Sequence, residues 1–348
     1  LKKIVTEHVF SGEKMVSKLI DRNYVYWEKL NHFIKNYVVK LSVKFEELQD
    51  WKYDYPLIEP MLPLDHETER ACIGKLKDKE NYGLLISTGF IFWLDDAAEW
   101  MNKDVMFKKS LYLSTIKKKS DLSLWMHANW LNWVVSHEIG HLVCGHLSNE
   151  NNFEWNEFNS IQNNSNKNSK LTIALEYDAD IYAATIFFGS IEIILKTKEM
   201  RQIKEKYFFD IGMIFTGMFM ALEHLTPSPK THPRAIERFM VFMLRGLAVY
   251  SLVVKRDVSK EYEAFLNGSM KCIALLGEDG IKYAEKFKTF DIQQLKESIT
   301  LLKDKNIHKN RFIKIENDWL TSKLHPLYFP SKEIIKWDLN NYPDKLGK

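Results

Sequence analysis

Apolar positions recur at helical spacing along most of this chain, and that period predicts a mainly α fold. Trp130, Leu131, Val134, Val135, Leu142 and Val143 follow it in the middle of the sequence, and Gly145 with the polar run from Ser148-Asn149-Glu150 ends that helix. Ile181–Leu195, Ile211–Leu222 and Phe239–Val254 are almost wholly apolar. Glu192 interrupts the first, Arg245 interrupts the third, and the second is too short for a bilayer. All three read as core helices, and no stable membrane span is expected. Tyr24, Tyr26, Trp27, Phe33 and Tyr37 recur at near-helical spacing and read as core. Tyr82–Ile86 fits a strand, with Ser87 or Thr88 capping a helix through Trp100. Leu111–Ile116 fits a second strand, and Pro56, Pro60 and Pro63 mark a loop. The fold class is therefore mainly α with a small β-sheet, an α+β chain.

Three regions follow: an N-terminal helical region over 1–80, a central domain over 81–255, and a charged helical region over 256–348. Asparagine stands at 149, 151, 152, 156, 159, 163, 164, 166 and 168, so 148–170 is a low-complexity insertion in the central domain. So polar a segment has little apolar surface to bury, which favours passive insertion over a substrate-gating lid. In the last region, Lys286–Lys305 is amphipathic and Gly277 and Gly280 bracket a turn. His308 and His325 lie there without partners at ligand spacing and read as structural.

The composition, 45% hydrophobic and 13% aromatic in 348 residues, suits a sizeable globular core. A formal net charge of +3 gives no basis for nucleic-acid binding. Cys72, Cys144 and Cys272 are odd in number and widely spaced, which argues against a disulfide framework and fits a reducing cytoplasm. Glu7 and His8 break the opening apolar residues, so no signal peptide is read, and the missing initial Met suggests residues ahead of Leu1. The pattern Asn-x-Ser occurs at Asn163 and Asn267, but a cytoplasmic chain would not use it.

The chemistry concentrates in His137-Glu138-Ile139-Gly140-His141. On a helix, residues four apart share a face, so His137 and His141 aim two imidazoles at one metal. Glu138 sits one position round, where its carboxylate serves as general base to a metal-activated water. That is the arrangement of a zinc peptidase. A catalytic zinc takes three protein ligands. A third histidine six residues past His141 is absent, because Leu147 stands there and Cys144 takes the place of the glycine in that longer motif. His146 is about 140° round the helix from His141 and should point away, to a cap or surface contact.

The third ligand is sought in Glu176-Tyr177-Asp178-Ala179-Asp180. Glu176 and Asp180 share a helix face, and Asp178 is about 200° away from Glu176. Glu176 is assigned as the third ligand, with Asp180 accepting a hydrogen bond from a ligand histidine and fixing its tautomer.

These two motifs resemble the gluzincin pattern, nearest the CAAX prenyl protease and HtpX-like branch, where a Glu-x-x-x-Asp helix gives the third ligand and its outer partner. Thr231-His232-Pro233-Arg234-Ala235-Ile236-Glu237-Arg238 is similar to a Thr-His-Pro segment of those peptidases. The resemblance implies a zincin-like active-site helix and a part for His232 and Arg238 near the substrate carbonyl, where a donor stabilises the oxyanion. The same residues also read as a helix start, with Thr231 capping and Pro233 in the first turn. The family has membrane spans that this chain lacks. In gluzincins an edge strand also binds extended substrate by backbone pairing, a task for Tyr82–Ile86 or Leu111–Ile116. The zincin segment is similar, too, to cytosolic phage-exclusion peptidases of the Lit type, which cleave a translation factor.

The sequence thus predicts a cytoplasmic endopeptidase with one Zn2+ per chain, acting on protein or peptide substrates. The competing readings are a metal-binding regulatory protein with little hydrolysis and a metal-free helical protein.

Overall fold

The computed structural model describes residues 58–61, 71–75, 82–112, 119–144, 146, 169–195, 203–222 and 233–278. Among these the fold is mainly helical with one small sheet, as the hydrophobic period predicts. The chain divides into two compact units, Leu1–Ile91 and Phe92–Lys348.

The first unit holds strands β1 (Ile58–Met61), β2 (Ala71–Lys75) and β3 (Tyr82–Ile86), in the order β1-β3-β2. β1 runs parallel to β3 and β2 antiparallel to it. Leu84 is central, opposite Pro60 on one side and Ile73 on the other. Three expectations change here. Two strands lie within 1–80, a stretch expected to be helical. Pro60 is a strand residue rather than part of a loop; β1 is an edge, where a residue without an N–H is tolerated. Tyr82–Ile86 is a strand but the central one, with both its edges paired, so it has no free edge for an added peptide. The Ser87 hydroxyl accepts a hydrogen bond from the Phe90 N–H at 3.2 Å, and this cap opens helix α1 (Thr88–Lys103).

In the second unit the later turns of α1 lead to α2 (Val105–Ser110), whose first turn is capped by the Asp104 carboxylate on the Phe107 N–H at 2.6 Å. Leu111 and Tyr112 close this helix instead of starting a strand. The Leu111 N–H donates to the Lys108 carbonyl and the Tyr112 N–H to the Asp210 carboxylate, at 3.2 and 2.9 Å. Residues 113–116 of the expected second strand lie outside the described residues.

Among the described residues five longer helices follow: α3 (Lys119–Val143), α4 (Ser169–Ile194), α5 (Lys204–Leu222), α6 (Ala235–Val254) and α7 (Ser259–Glu278). The Asn-rich insertion lies outside the described residues up to 168. The three apolar segments fall in α4, α5 and α6, which are apolar nearly all round and correspondingly buried. Phe187, Phe215, Phe219 and Phe242 interlock there. The Phe215 and Phe242 rings are 4.5 Å apart, and Phe187 and Phe215 4.9 Å, within the favoured range for aromatic pairs. Burying each ring contributes about 1.5–3 kcal/mol. α7 packs closely along α5, where a Cβ on Gly212 would lie 2.1 Å from the Phe265 carbonyl oxygen. Among the described residues no helix is long and apolar enough to cross a membrane.

Candidate metal centre

Two helices build the site. α3 carries His137 and His141 one turn apart, and α4 packs against it with Glu176. The contact is close because residue 140 has no side chain. A Cβ on Gly140 would lie 3.0 Å from the Ala179 Cα, 3.1 Å from its carbonyl oxygen and 3.2 Å from the Tyr182 Cβ. Glycine inside the motif thus lets the second helix come near enough for a carboxylate to meet both histidines.

His137, His141 and Glu176 are buried and form a group able to hold a metal ion. The Nε2 atoms of His137 and His141 are 3.1 Å apart. Glu176 Oε2 lies 3.4 Å from His137 Nε2, and Oε1 lies 3.6 Å from His141 Nε2. Zinc bonds of about 2.0–2.1 Å in a tetrahedron give ligand–ligand edges of about 3.3–3.4 Å. The donor set, two imidazoles and a carboxylate at these separations, fits zinc.

The outer contacts of the two imidazoles differ. His137 Nδ1 is 2.9 Å from Asp180 Oδ1, so its N–H donates to that carboxylate and leaves Nε2 for the centre. Trp133 stacks on the His137 ring at 5.4 Å. Asp180 is held in turn by Arg238, which donates from Nε to Oδ2 and from Nη2 to Oδ1, both at 3.0 Å. Nη2 is also 3.2 Å from each ring nitrogen of His137, an equidistance that places it over the ring face rather than on one lone pair. The guanidinium lies over the Trp133 ring as well, at 5.2 Å.

His141 has a different support. Its Nδ1 is 2.8 Å from His146 Nδ1, and His146 Nε2 is 3.2 Å from Asp178 Oδ2. His146 is buried and faces the site, contrary to the expectation of a cap or surface contact. The extrapolation of about 140° holds only while the helix continues. α3 ends at Val143, and the His146 N–H donates to the His141 carbonyl at 2.9 Å, folding the chain back. The stop signal at Gly145 was the available clue. Asp178 does lie away from Glu176, but it belongs to this outer contact. Burial holds the His141 pKa well below its usual value, against the pull of Glu176, so the ring is in the neutral form that metals bind. Burial, reinforced by Asp178, pushes the Cys144 thiol up and keeps it protonated.

Glu138 is buried on α3 next to His137 and is not one of the three grouped donors. On α6, Arg234 is the N-cap residue, so the helix starts later than a Thr231 cap would place it. The Glu237 carboxylate accepts from the Arg234 N–H at 3.3 Å and from the Tyr177 hydroxyl at 3.2 Å, tying α6 to α4 beside Arg238. Thr231 and His232 lie outside the described residues. The structure therefore brings together His137, His141, Glu176, Asp180 and Arg238.

No curated protein and no solved structure matches this chain. Residues 90–246 match the family model of peptidase U49, a segment that contains every residue of the candidate site, and over that segment the chain is similar to a peptidase family.

Proposed function

We propose that the chain is a zinc-dependent endopeptidase binding one Zn2+, with His137, His141 and Glu176 as ligands. The observation that carries this reading is the spacing of the three buried donors, 3.1, 3.4 and 3.6 Å. When bound, zinc supplies a Lewis acid for the peptide carbonyl and acidifies water. Glu138 takes a proton from the attacking water as its oxygen adds to the scissile carbonyl, then returns that proton to the leaving amine. Asp180 holds His137 by its Nδ1–H. The contacts of Arg238 favour a positioning part, fixing Asp180, and leave His232 as the candidate oxyanion donor. The catalytic segment is proposed to span 81–255. The peptidase U49 match favours the Lit-type phage-exclusion reading, with a protein substrate. The odd number and wide spacing of Cys72, Cys144 and Cys272 in the sequence support a cytoplasmic setting.

Glu138→Gln tests the mechanism. Gln keeps the shape but cannot take the proton. Zinc content and melting temperature should hold while peptide hydrolysis falls by about 10²–10⁴-fold. Near-normal hydrolysis with zinc retained would remove Glu138 as base. A wild-type chain that binds zinc but cleaves nothing would favour a regulatory metal protein.

A further inference from the structure

Cys144, His146 and Asp178 form a second buried group whose ligand-type atoms lie within 4.8 Å of one another. Two uses compete for it: a metal site of its own, or a support for His141. The proton positions decide between them.

An ionised carboxylate only accepts hydrogen bonds. With Asp178 as the carboxylate, the 3.2 Å contact between His146 Nε2 and Asp178 Oδ2 places a proton on Nε2. A neutral His146 then has a bare Nδ1, which accepts across the 2.8 Å contact from His141 Nδ1. His141 must carry its proton on Nδ1, and its Nε2 is left bare, facing His137 Nε2 and Glu176 Oε1.

A metal at the second group reverses the chain. It would take the Nε2 lone pair of His146, and the His146 proton would move to Nδ1. That proton would point into His141 Nδ1 and force the His141 proton onto Nε2, closing that nitrogen to a metal. With neutral rings, the two groups cannot both hold a metal. The Cys144 thiol lies beside Asp178 and is a fitting neighbour for an accepting carboxylate.

We propose that Asp178, acting through His146, is a positioning residue that fixes His141 as its Nδ1–H tautomer, with Nε2 bare and aimed at the Glu176 and His137 donors. As a statement about zinc affinity it rests on the reading of the first group as a zinc site; as a statement about a tautomer it does not. The two ligand histidines would then be held by unlike supports, His137 by a carboxylate directly and His141 by a carboxylate through a second imidazole.

The test uses the full chain with 15N-labelled histidine, the His141 signals being assigned by their loss in His141→Gln. In the zinc-free protein, the 15N shifts should show His141 protonated at Nδ1 and bare at Nε2. Competition with a chelator should show Asp178→Asn and His146→Leu binding zinc about 10–100-fold more weakly than wild type, with unchanged far-UV circular dichroism. A His141 protonated at Nε2 in the wild-type chain would overturn the proposal without any variant needing to fold. So would wild-type zinc affinity in both variants, or a second zinc per chain that Cys144→Ser removes. An Nδ1–H tautomer in a chain that binds no zinc would support the relay and overturn the metal reading instead.

Discussion

Gly140→Ala is a test of how tightly α3 and α4 must approach for the site to form. The added Cβ would meet the Ala179 Cα at 3.0 Å, its carbonyl oxygen at 3.1 Å and the Tyr182 Cβ at 3.2 Å, where ordinary contact begins at 3.4 Å. Two of the three atoms are backbone, so no rotamer change relieves them; the helices must separate by about 0.4 Å. Overpacking of this kind costs about 1–3 kcal/mol. Replacing a mid-helix glycine by alanine returns about 1 kcal/mol of helix propensity. The net expectation is a loss of about 1 kcal/mol, or about 2–4 °C in Tm. The more telling effect is at the site. Glu176 on α4 already sits 3.4 and 3.6 Å from the histidine nitrogens on α3, at or beyond a zinc tetrahedron's edge. Separation lengthens both distances, and zinc affinity should fall by about tenfold, as for other losses of site support. Differential scanning fluorimetry of the zinc-free protein and chelator competition measure the two effects. A higher Tm with unchanged zinc affinity would show that the interface has room, and the argument from close approach would fail.

Asp180→Asn should weaken zinc affinity by about 10–100-fold while the chain stays folded, since His137 loses an ionised acceptor; wild-type affinity would limit Asp180 to anchoring Arg238. Glu261 is buried, which works to raise its pKa, but hydrogen bonds from Arg256 and Lys204 outweigh this and hold it below the usual 4.5. Its contribution to stability is therefore present above about pH 4.5 and lost as pH falls through the depressed value. Urea titrations should show wild type and Glu261→Gln converging at low pH, and a constant gap would refute the assignment. Lys255 caps α6 in the left-handed region, at φ 53° and ψ 41°, where an L residue is strained by about 1–2 kcal/mol. Lys255→Gly should raise stability by up to about 1 kcal/mol in urea unfolding, and a loss would mean that the lysine side chain makes a compensating contact.

Much of the centre was legible because its spacing is local. His137 and His141 share a face through one helix turn, and so do Glu176 and Asp180, whatever surrounds those helices. The apolar runs of α4, α5 and α6 were legible as core for the same reason. What failed to read was set by chain reversal or by long-range pairing. His146 faces the site because α3 stops at Val143, and its position depends on the turn after that stop. Pro60 enters a strand because β3, more than twenty residues later, pairs with it; nothing local to Pro60 announces that. Arg238 turns to Asp180 through the packing of α6 on α4, which helical spacing within either segment does not encode.

The charges around the centre bear on what it holds. Glu176, Asp178 and Asp180 come from one short stretch of α4 and are buried, and Glu138 is buried across from them on α3. Formally these are four negative charges. Arg238 supplies one positive charge, and the lowered pKa of His141 means that its ring supplies none. Burying an excess of like charge is costly unless a cation or protons compensate it. Protons on the carboxylates would serve, but a protonated Asp180 would lose the paired acceptor geometry that its contacts with Arg238 display at 3.0 Å on each oxygen. A divalent cation between His137, His141 and Glu176 compensates two charges while leaving both Asp180 oxygens to accept from Arg238. The charge balance and the hydrogen-bond directions therefore favour the same occupant.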